Sequence, residues 1–146
     1  MTEIRIFKIE FGTPEYDETV RLRDEVLRKP LGLSFTAEQL AAEYDSQHLI
    51  ATDLGGRLIA CLILVPASES AIKMRQVAVR PDLQGRGVGT ALVQAAEGLA
   101  VDGGFREMVL HARETAVEFY RKLDYRTEGD CFEEVGIPHY KMRKTL

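Results

Sequence analysis

Three glycines within five residues, between an apolar strand and a helix, constrain this chain more than any other feature. Residues 77–90 read VAVRPDLQGRGVGT and contain Gly85, Gly87 and Gly89. Glycine lets the backbone turn tightly and leaves its N–H groups uncovered by a Cβ. At the positive N-terminus of a helix such groups bind anions, especially phosphate or pyrophosphate, and Arg86 adds a positive charge. The stretch predicts a phosphate-binding turn, and a plain glycine turn without a ligand is the alternative.

The spacing of these glycines decides between the known kinds of phosphate-binding turn. The Walker pattern requires a lysine after its last glycine, and none is present here. The dinucleotide fingerprint G-x-G-x-x-G fails as well, because the glycines alternate with other residues. A protein that binds ATP or NAD through this turn is therefore the less favoured alternative.

Composition places the chain among compact soluble proteins. Its 146 residues are close to the roughly 150 of a typical domain, so we predict one domain over residues 1–146. Apolar residues make up 45% and charged residues 29%, which is close to average for globular proteins. The net charge of −4 disfavours a nucleic-acid partner, which would require a basic face.

Targeting segments, cysteines and histidines favour a cytoplasmic protein without a metal. Met1–Phe11 has no apolar core of a signal peptide, and Leu58–Ala67 is far shorter than the ~20 residues that span a bilayer. We therefore expect no membrane partner. Cys61 and Cys131 are predicted to be free thiols in a reducing compartment. No Cys-x-x-Cys or His-Glu-x-x-His motif occurs, so no metal site is predicted.

The order of predicted elements indicates a mixed α/β sheet. Thr13-Pro14 predicts a helix that ends near Lys29-Pro30, and Thr36 with Gln39 predicts a capping box. Apolar spacing predicts helices over Val88–Leu99 and Ala116–Leu123. The predicted strands are Ile4–Phe11, His48–Thr52, Arg57–Val65, Ile72–Val79 and Glu107–Ala112, with two more around an acidic loop in Tyr125–Leu146. Arg57–Val65 is almost wholly apolar, which is typical of a strand covered on both faces.

Two segments resemble the GNAT superfamily of N-acetyltransferases. Residues 84–89, QGRGVG, are similar to its Q/R-x-x-G-x-G/A motif, and residues 77–81 resemble the strand before it. Residues 111–125, HARETAVEFYRKLDY, are similar to its A-x-x-F-Y-x-K-x-G-F/Y stretch. The resemblance implies an α/β fold with a mixed central sheet of six to seven strands, flanked by about four helices. It also implies that strand four carries a bulge and splays apart from strand five.

Weaker similarities lie outside these segments. Residues 23–32, 43–49 and 132–139 resemble a group of small bacterial members of the family whose substrates are unassigned. Asp124 stands where the family usually has glycine, and aspartate tolerates the left-handed conformation that this position implies.

The family resemblance implies acetyl-CoA as co-substrate. The pantetheine arm would bind the backbone near Val77 and Val79, and the pyrophosphate would bind the N–H groups from Gln84 to Thr90. Because the chain has no asparagine, Glu114 or Thr115 would replace the one that many members use. The residues implied in acetyl-CoA binding are Val77, Ala78, Val79, Gln84, Gly85, Arg86, Gly87, Val88, Gly89, Thr90, Glu114 and Phe119.

The implied activity is N-acetyltransfer from acetyl-CoA to a primary amine by direct attack in a ternary complex. The leaving thiolate needs a proton, and the resemblance implies Tyr120 as general acid. The alternative is that Tyr120 only packs on the apolar helix face with Phe119. A backbone N–H near Val79 would stabilise the oxyanion. Cys61 in an apolar strand is unsuited to act as a nucleophile.

The amine needs a base if its pKa is high. A lysine-like amine costs about 4.6 kcal/mol to deprotonate at pH 7, an α-amine only about 1.4 kcal/mol. The candidates for a base or acceptor-binding group are Glu43, Glu133 and His111, with Asp45, Glu134 and His139 near them in sequence. The alternatives are a solvated charge pair at Glu133 and a hydrogen-bonded sheet histidine at His111.

The partners follow from this activity. A small-molecule or peptide amine is expected as substrate, and many members of the family form homodimers. The alternative function is a non-catalytic acyl-CoA-binding or sensor domain, which would bind the thioester without turnover.

Overall fold

The computed structural model describes residues 3–146, which form a seven-stranded mixed sheet with four α-helices. Met1 and Thr2, which the predicted domain and the N-terminal segment include, lie outside the described residues. The strands are β1 (Ile4–Ile9), β2 (Gln47–Asp53), β3 (Leu58–Pro66), β4 (Ala71–Val79), β5 (Glu107–Arg113), β6 (Arg126–Glu134) and β7 (Ile137–Thr145). The helices are α1 (Pro14–Arg23), α2 (Ala37–Ala41), α3 (Val88–Asp102) and α4 (Val117–Arg121).

The strand order is β1-β2-β3-β4-β5-β7-β6. β4 and β5 are parallel, whereas β1 with β2, β2 with β3, β5 with β7 and β6 with β7 are antiparallel. The mixed α/β sheet that the order of elements predicts is thus confirmed. Within residues 3–146 no helix is long and apolar enough to cross a membrane.

The chain divides into two compact units, which we describe separately. The first contains the residues up to 65 together with 76–96, and the second contains 66–75 together with 97–146. One domain over residues 1–146 stays a prediction.

In the first unit both predicted helix starts are confirmed. The Thr13 side chain accepts a hydrogen bond from the Tyr16 N–H at 3.3 Å, with Pro14 at the first helical position. Thr36 and Gln39 form the reciprocal capping box that opens α2. α1 itself ends at Arg23, earlier than predicted. The chain then continues as a π-helical turn (Asp24–Arg28) and a 3-10 turn (Lys29–Leu31), so helical backbone does reach the predicted end.

The core of the first unit surrounds β3. Residues 58–64 of this strand are all buried, as its apolar run predicts. Leu58 and Cys61 contact Leu22 of α1, Ile50 of β2 and Ala78 of β4. The end of β4 that precedes the glycine turn is therefore anchored through the Ala78 side chain.

The second unit corrects two predictions. The predicted acidic loop is wrong, because β6 continues through Glu133 and Glu134. A two-residue turn at Val135 (φ +48°) and Gly136 (φ +78°) then leads into β7. A turn with two positive φ angles matches the twist of a hairpin, so strand pairing extends to the last acidic residue.

The helix after β5 is shorter than predicted. Glu114–Ala116 form a 3-10 turn, and α4 covers only Val117–Arg121. The helix end bends back on itself, with the Tyr125 N–H bonded to the Tyr120 carbonyl at 3.1 Å. Such an ending requires a left-handed residue. Asp124 adopts it at φ +73°, as expected at the position where the family has glycine.

Candidate functional site

The glycine turn is held at its start by hydrogen bonds to β3. The Arg80 N–H donates to the Ile59 carbonyl at 2.9 Å, and Arg80 Nε donates to the Leu58 carbonyl at 2.6 Å. The Gln84 side-chain amide donates to the Val79 carbonyl at 3.1 Å, which closes the loop of chain between them. The turn therefore leaves β4 in a defined direction.

The glycines have the backbone conformation that the sequence predicts. Gly85 (φ +80°) and Gly87 (φ +85°) are left-handed, a conformation that costs other L-residues about 1–2 kcal/mol. A Cβ built on either glycine would have no other atom within 4 Å. Both glycines therefore face open space.

Backbone N–H groups at the start of α3 are available to a ligand. The Ala91 N–H bonds to the Gly87 carbonyl at 3.0 Å. The N–H groups of Val88, Gly89 and Thr90 come before it in the chain. As the first N–H groups of the helix, they have no acceptor within the helix. No acidic residue lies in the first turn of α3. This is the geometry of an anion site at a helix N-terminus.

The predicted cradle differs from the structure at Gln84. Its N–H is directed to the Pro81 carbonyl at 3.4 Å, within a 3-10 turn (Pro81–Leu83). Gln84 therefore shapes the turn, and the N–H groups open to a ligand begin after it.

Some of the remaining residues implied in acetyl-CoA binding belong to the first unit and some to the second. Val77 and Val79 are half-buried, and Gln76 before them has φ +55°, a left-handed conformation within β4. Arg86 is exposed at the turn in the first unit. In the second unit Glu114 is exposed and Phe119 is half-buried.

Tyr120 combines a packed ring with a free hydroxyl. The ring lies edge-on to Phe119 and Tyr125, with centroids 5.0 and 5.7 Å apart, and burial raises the pKa of the phenol. Among residues 3–146 its hydroxyl has no hydrogen-bond partner, and burial alone accounts for the shift of its pKa. The phenol is therefore protonated at neutral pH and able to donate to a ligand.

Glu43, a candidate base, is already paired. Arg23 donates to both of its carboxylate oxygens at 2.9 Å, and the Tyr16 hydroxyl donates to Oε1 at 2.7 Å. Arg23 is 1% and Glu43 6% exposed. Both carboxylate oxygens of Glu43 are thus occupied by hydrogen bonds from side chains of its own unit. This geometry argues against Glu43 as the base.

Neighbouring groups complete this buried cluster in the first unit. Burial, followed by the hydrogen bond to Glu43, raises the pKa of Tyr16 to about 12. His48 contacts the Glu43 carbonyl through Nε2 at 3.0 Å, and burial lowers its pKa. The sequence did not reveal that Arg23 and Tyr16 bind Glu43. Their i, i+7 spacing places both on one side of α1, but it does not identify the distant carboxylate that they contact.

His111 and two residues of the β6–β7 hairpin form a second polar cluster. His111 Nδ1 lies 2.9 Å from Glu134 Oε1, and His139 Nε2 lies 3.6 Å from Glu134 Oε2. Burial opposes ionisation of Glu134, but the hydrogen bond from His111 and the two imidazoles outweigh it and lower its pKa. Glu133 points to the other face of β6, because successive side chains of a strand alternate. The structure thus brings Glu134, in place of Glu133, to His111.

Lysine charges also face this cluster. Lys73 Nζ lies 3.5 Å from His111 Nδ1. Burial lowers the pKa of Lys73, Arg75 and Lys141 lower it further, and Glu134 acts in the opposite direction. Within residues 3–146 no group of three or more His, Cys, Asp or Glu side chains is placed to hold a metal ion.

We expect the two cysteines to differ sharply in reactivity. Burial raises the pKa of Cys61 to about 12, so its thiolate is scarce at pH 7. Cys131 is exposed on β6. A thiol-reactive chromophore should therefore titrate one thiol in the folded protein and two after denaturation. Rapid labelling of Cys61 in the folded protein would contradict this arrangement.

The structure defines the class as a mixed α/β protein with a glycine turn that presents helix N–H groups after β4, and comparison with known proteins identifies its family. Residues 22–146 match the family model of the acetyltransferase (GNAT) domain. The chain therefore belongs to the GNAT acetyltransferase family.

The relatives agree with this assignment. An uncharacterized N-acetyltransferase of Bacillus subtilis, YjcF, is 30% identical over 84% of this chain and 87% of its own length. A crystal structure described as an N-acetyltransferase from Lactobacillus plantarum has a TM-score of 0.86 at 24% identity, and 98% of each chain is covered. A GNAT acetyltransferase from Elizabethkingia anophelis with acetyl-CoA bound has a TM-score of 0.75 at 18% identity, again over 98% of each chain.

Proposed function

We propose that the protein transfers the acetyl group of acetyl-CoA to a primary amine by direct attack in a ternary complex. The observation that carries the proposal is the turn at 85–90, where two left-handed glycines face open space next to three free helix N–H groups. Backbone N–H groups and the helix dipole suit a pyrophosphate. The Elizabethkingia anophelis structure with acetyl-CoA bound supports acetyl-CoA as the donor.

Residues of this chain have three tasks in the proposed reaction, for which acetyl-CoA supplies the activated acyl thioester. The turn binds the pyrophosphate, with Arg86 as a nearby positive charge. A backbone N–H near Val79 stabilises negative charge on the carbonyl oxygen, a contribution of about 3 kcal/mol for a preorganised donor. Tyr120 donates the proton that the departing sulfur takes up.

The burial of Cys61 favours direct attack over a covalent acyl-enzyme on this thiol. A nucleophilic cysteine needs a low pKa, and burial shifts the pKa of Cys61 in the opposite direction. The proposed acceptor is a small-molecule or peptide amine, which attacks the bound thioester itself.

The test combines binding with turnover. Acetyl-CoA at 100 times its Kd should stabilise the protein by about 2.7 kcal/mol in a thermal-shift experiment, and ATP and NAD should not. CoA thiol should then be released in the presence of amines. Binding without amine-dependent release would favour the non-catalytic acyl-CoA-binding alternative, and no binding would overturn the proposal.

A pair of glycine variants separates binding by the turn from backbone strain. Gly87→Ala should weaken acetyl-CoA binding about ten- to hundredfold, since a hydrogen bond to a charged group contributes about 1.5–3 kcal/mol. Gly56→Ala is the matched control. Gly56 has φ +87° and equally open surroundings, but lies in the β2–β3 turn. Both variants should lose about 1–2 kcal/mol of stability, while only Gly87→Ala loses binding. Equal affinities in the two variants would contradict a role of the turn.

A further inference from the structure

The contact between His111 and Glu134 assigns the tautomer of the imidazole. Glu134 Oε1 lies 2.9 Å from His111 Nδ1, and an ionised carboxylate can only accept hydrogen bonds. Lys73 Nζ lies farther from the same nitrogen, at 3.5 Å, so the shorter contact with the carboxylate decides the tautomer. Nδ1 therefore carries the proton, which leaves the lone pair of the neutral ring on Nε2. A carboxylate that holds Nδ1–H in this way is what prepares a histidine to accept a proton at Nε2. The ring of His111 is partly exposed, at 29% of its side chain.

His139 lies next to the other oxygen of this carboxylate. His139 Nε2 lies 3.6 Å from Glu134 Oε2, and its Nδ1–H donates to the Ile137 carbonyl at 3.0 Å. His139 is 4% exposed. Phe132 lies edge-on to His111, with centroids 5.0 Å apart. Because a two-residue turn joins β6 to β7, Glu134 and His139 move together as one hairpin.

On the basis of the proposed function, we propose that His111 is the general base that deprotonates the acceptor ammonium, with Glu134 as its positioning residue. The proton moves from the substrate nitrogen to His111 Nε2, and Glu134 stabilises the imidazolium that results. The nitrogen lone pair then forms the bond to the acyl carbon as the C–S bond breaks. Of the two protons that the nitrogen loses overall, one leaves through His111 to solvent. The other replaces the proton that Tyr120 gives to the CoA sulfur, so that Tyr120 is restored.

This arrangement points to a class of acceptor. An alkylamine with a pKa of about 10.4 is unprotonated in only about one molecule in 2,500 at pH 7, so it gains most from a base. An α-amine with a pKa near 8 gains much less. The structure thus favours a primary alkylamine, such as a lysine side chain or a polyamine, over a peptide α-amine.

Charged groups surround His111 on every neighbouring strand. Glu134 on β6 is the carboxylate in contact with the ring, and Lys73 on β4 is the nearest cation. Lys141 is the register partner of His111 on β7. Further charged or titratable residues on these strands include Arg75 on β4, Arg113 on β5 and His139 on β7.

Kinetics of three variants test the base with two amines, Nα-acetyl-lysine amide and glycylglycine. At pH 7, His111→Gln and Glu134→Gln should each lower kcat/KM for the ε-amine at least tenfold, with a smaller loss for the α-amine. The loss should shrink as the pH approaches 10, because the ε-amine then deprotonates without help. Asp130→Asn removes an exposed charge from β6 and should change neither value. Thermal melts and acetyl-CoA binding show whether each variant is folded.

Side-chain ¹⁵N NMR provides a reading that does not depend on turnover. His111 should carry its proton on Nδ1 in the wild-type protein and lose that preference in Glu134→Gln. A proton on Nε2 in the wild type overturns the proposal, as does turnover by His111→Gln within twofold of the wild type. If the wild-type protein releases no CoA with either amine, the proposed function fails and the base role fails with it. Normal wild-type turnover with unaffected variants overturns the base role alone.

Discussion

Glu43→Ala is expected to lower the free energy of unfolding by about 3–5 kcal/mol, the cost of breaking a buried ion pair by removing one partner. Arg23 would keep its charge at 1% exposure and lose both of its hydrogen bonds to the carboxylate. Its Nε already has no hydrogen-bond partner among residues 3–146, so the guanidinium would lose the carboxylate to which its other two nitrogens donate. The Tyr16 hydroxyl would lose its acceptor at the same time.

Urea unfolding followed by circular dichroism measures this loss. Glu38→Ala, which removes an exposed carboxylate from α2, is the control and should cost less than about 1 kcal/mol. The double variant Arg23→Met/Glu43→Leu should recover most of the stability, because well-packed apolar residues replace a buried pair at little cost. A loss below 1 kcal/mol for Glu43→Ala would show that the pair is solvated.

Tyr120→Phe is expected to lower kcat about 30- to 100-fold and to leave acetyl-CoA affinity unchanged. Protonating a thiolate whose pKa is about 8.5 is worth roughly 2 kcal/mol at pH 7, which corresponds to about 30-fold. A positioned general acid contributes about 10²-fold at the lower end of the usual range. The folded protein should be unaffected, since the hydroxyl has no partner within residues 3–146.

Tyr125→Phe gives a matched contrast to this variant. The Tyr125 hydroxyl donates to Glu97 at 2.8 Å, so its removal should lower stability and spare kcat. The opposite pattern is expected for Tyr120→Phe. Stopped assays of CoA release measure kcat of both variants, and thermal melts measure their stability. Full kcat in Tyr120→Phe would mean that Tyr120 only packs against Phe119 and Tyr125.

Features that depend only on residues close together in the chain could be predicted from the sequence. Thr13 and Thr36 cap helices because their side chains reach N–H groups three residues away. Gly85 and Gly87 turn the chain because residues with a Cβ resist positive φ. Asp124 takes the left-handed position because aspartate tolerates it better than most residues that have a Cβ. The strand–turn–helix that forms the proposed phosphate site is therefore made of contiguous residues, and the sequence alone could predict it.

The hairpin at the chain's end shows where such reasoning fails. Glu133 and Glu134 suggest a loop by charge alone, yet both lie in β6, since Val135 and Gly136 suffice for the turn. Which of the two carboxylates meets His111 depends on strand register, and a shift of one residue would exchange them.

The sequence by itself determined the class of fold, the helix caps and the glycine turn, because each follows from local conformational preference. Only the tertiary structure determined which partner each of the acidic side chains has, and therefore its role. Glu43 pairs with Arg23, 20 residues away in the chain, and this buried ion pair stabilises the fold. Glu134 meets His111, 23 residues away, where it holds an imidazole. Equal carboxylates acquire different roles because hydrogen bonding and burial are set by residues far apart in the chain.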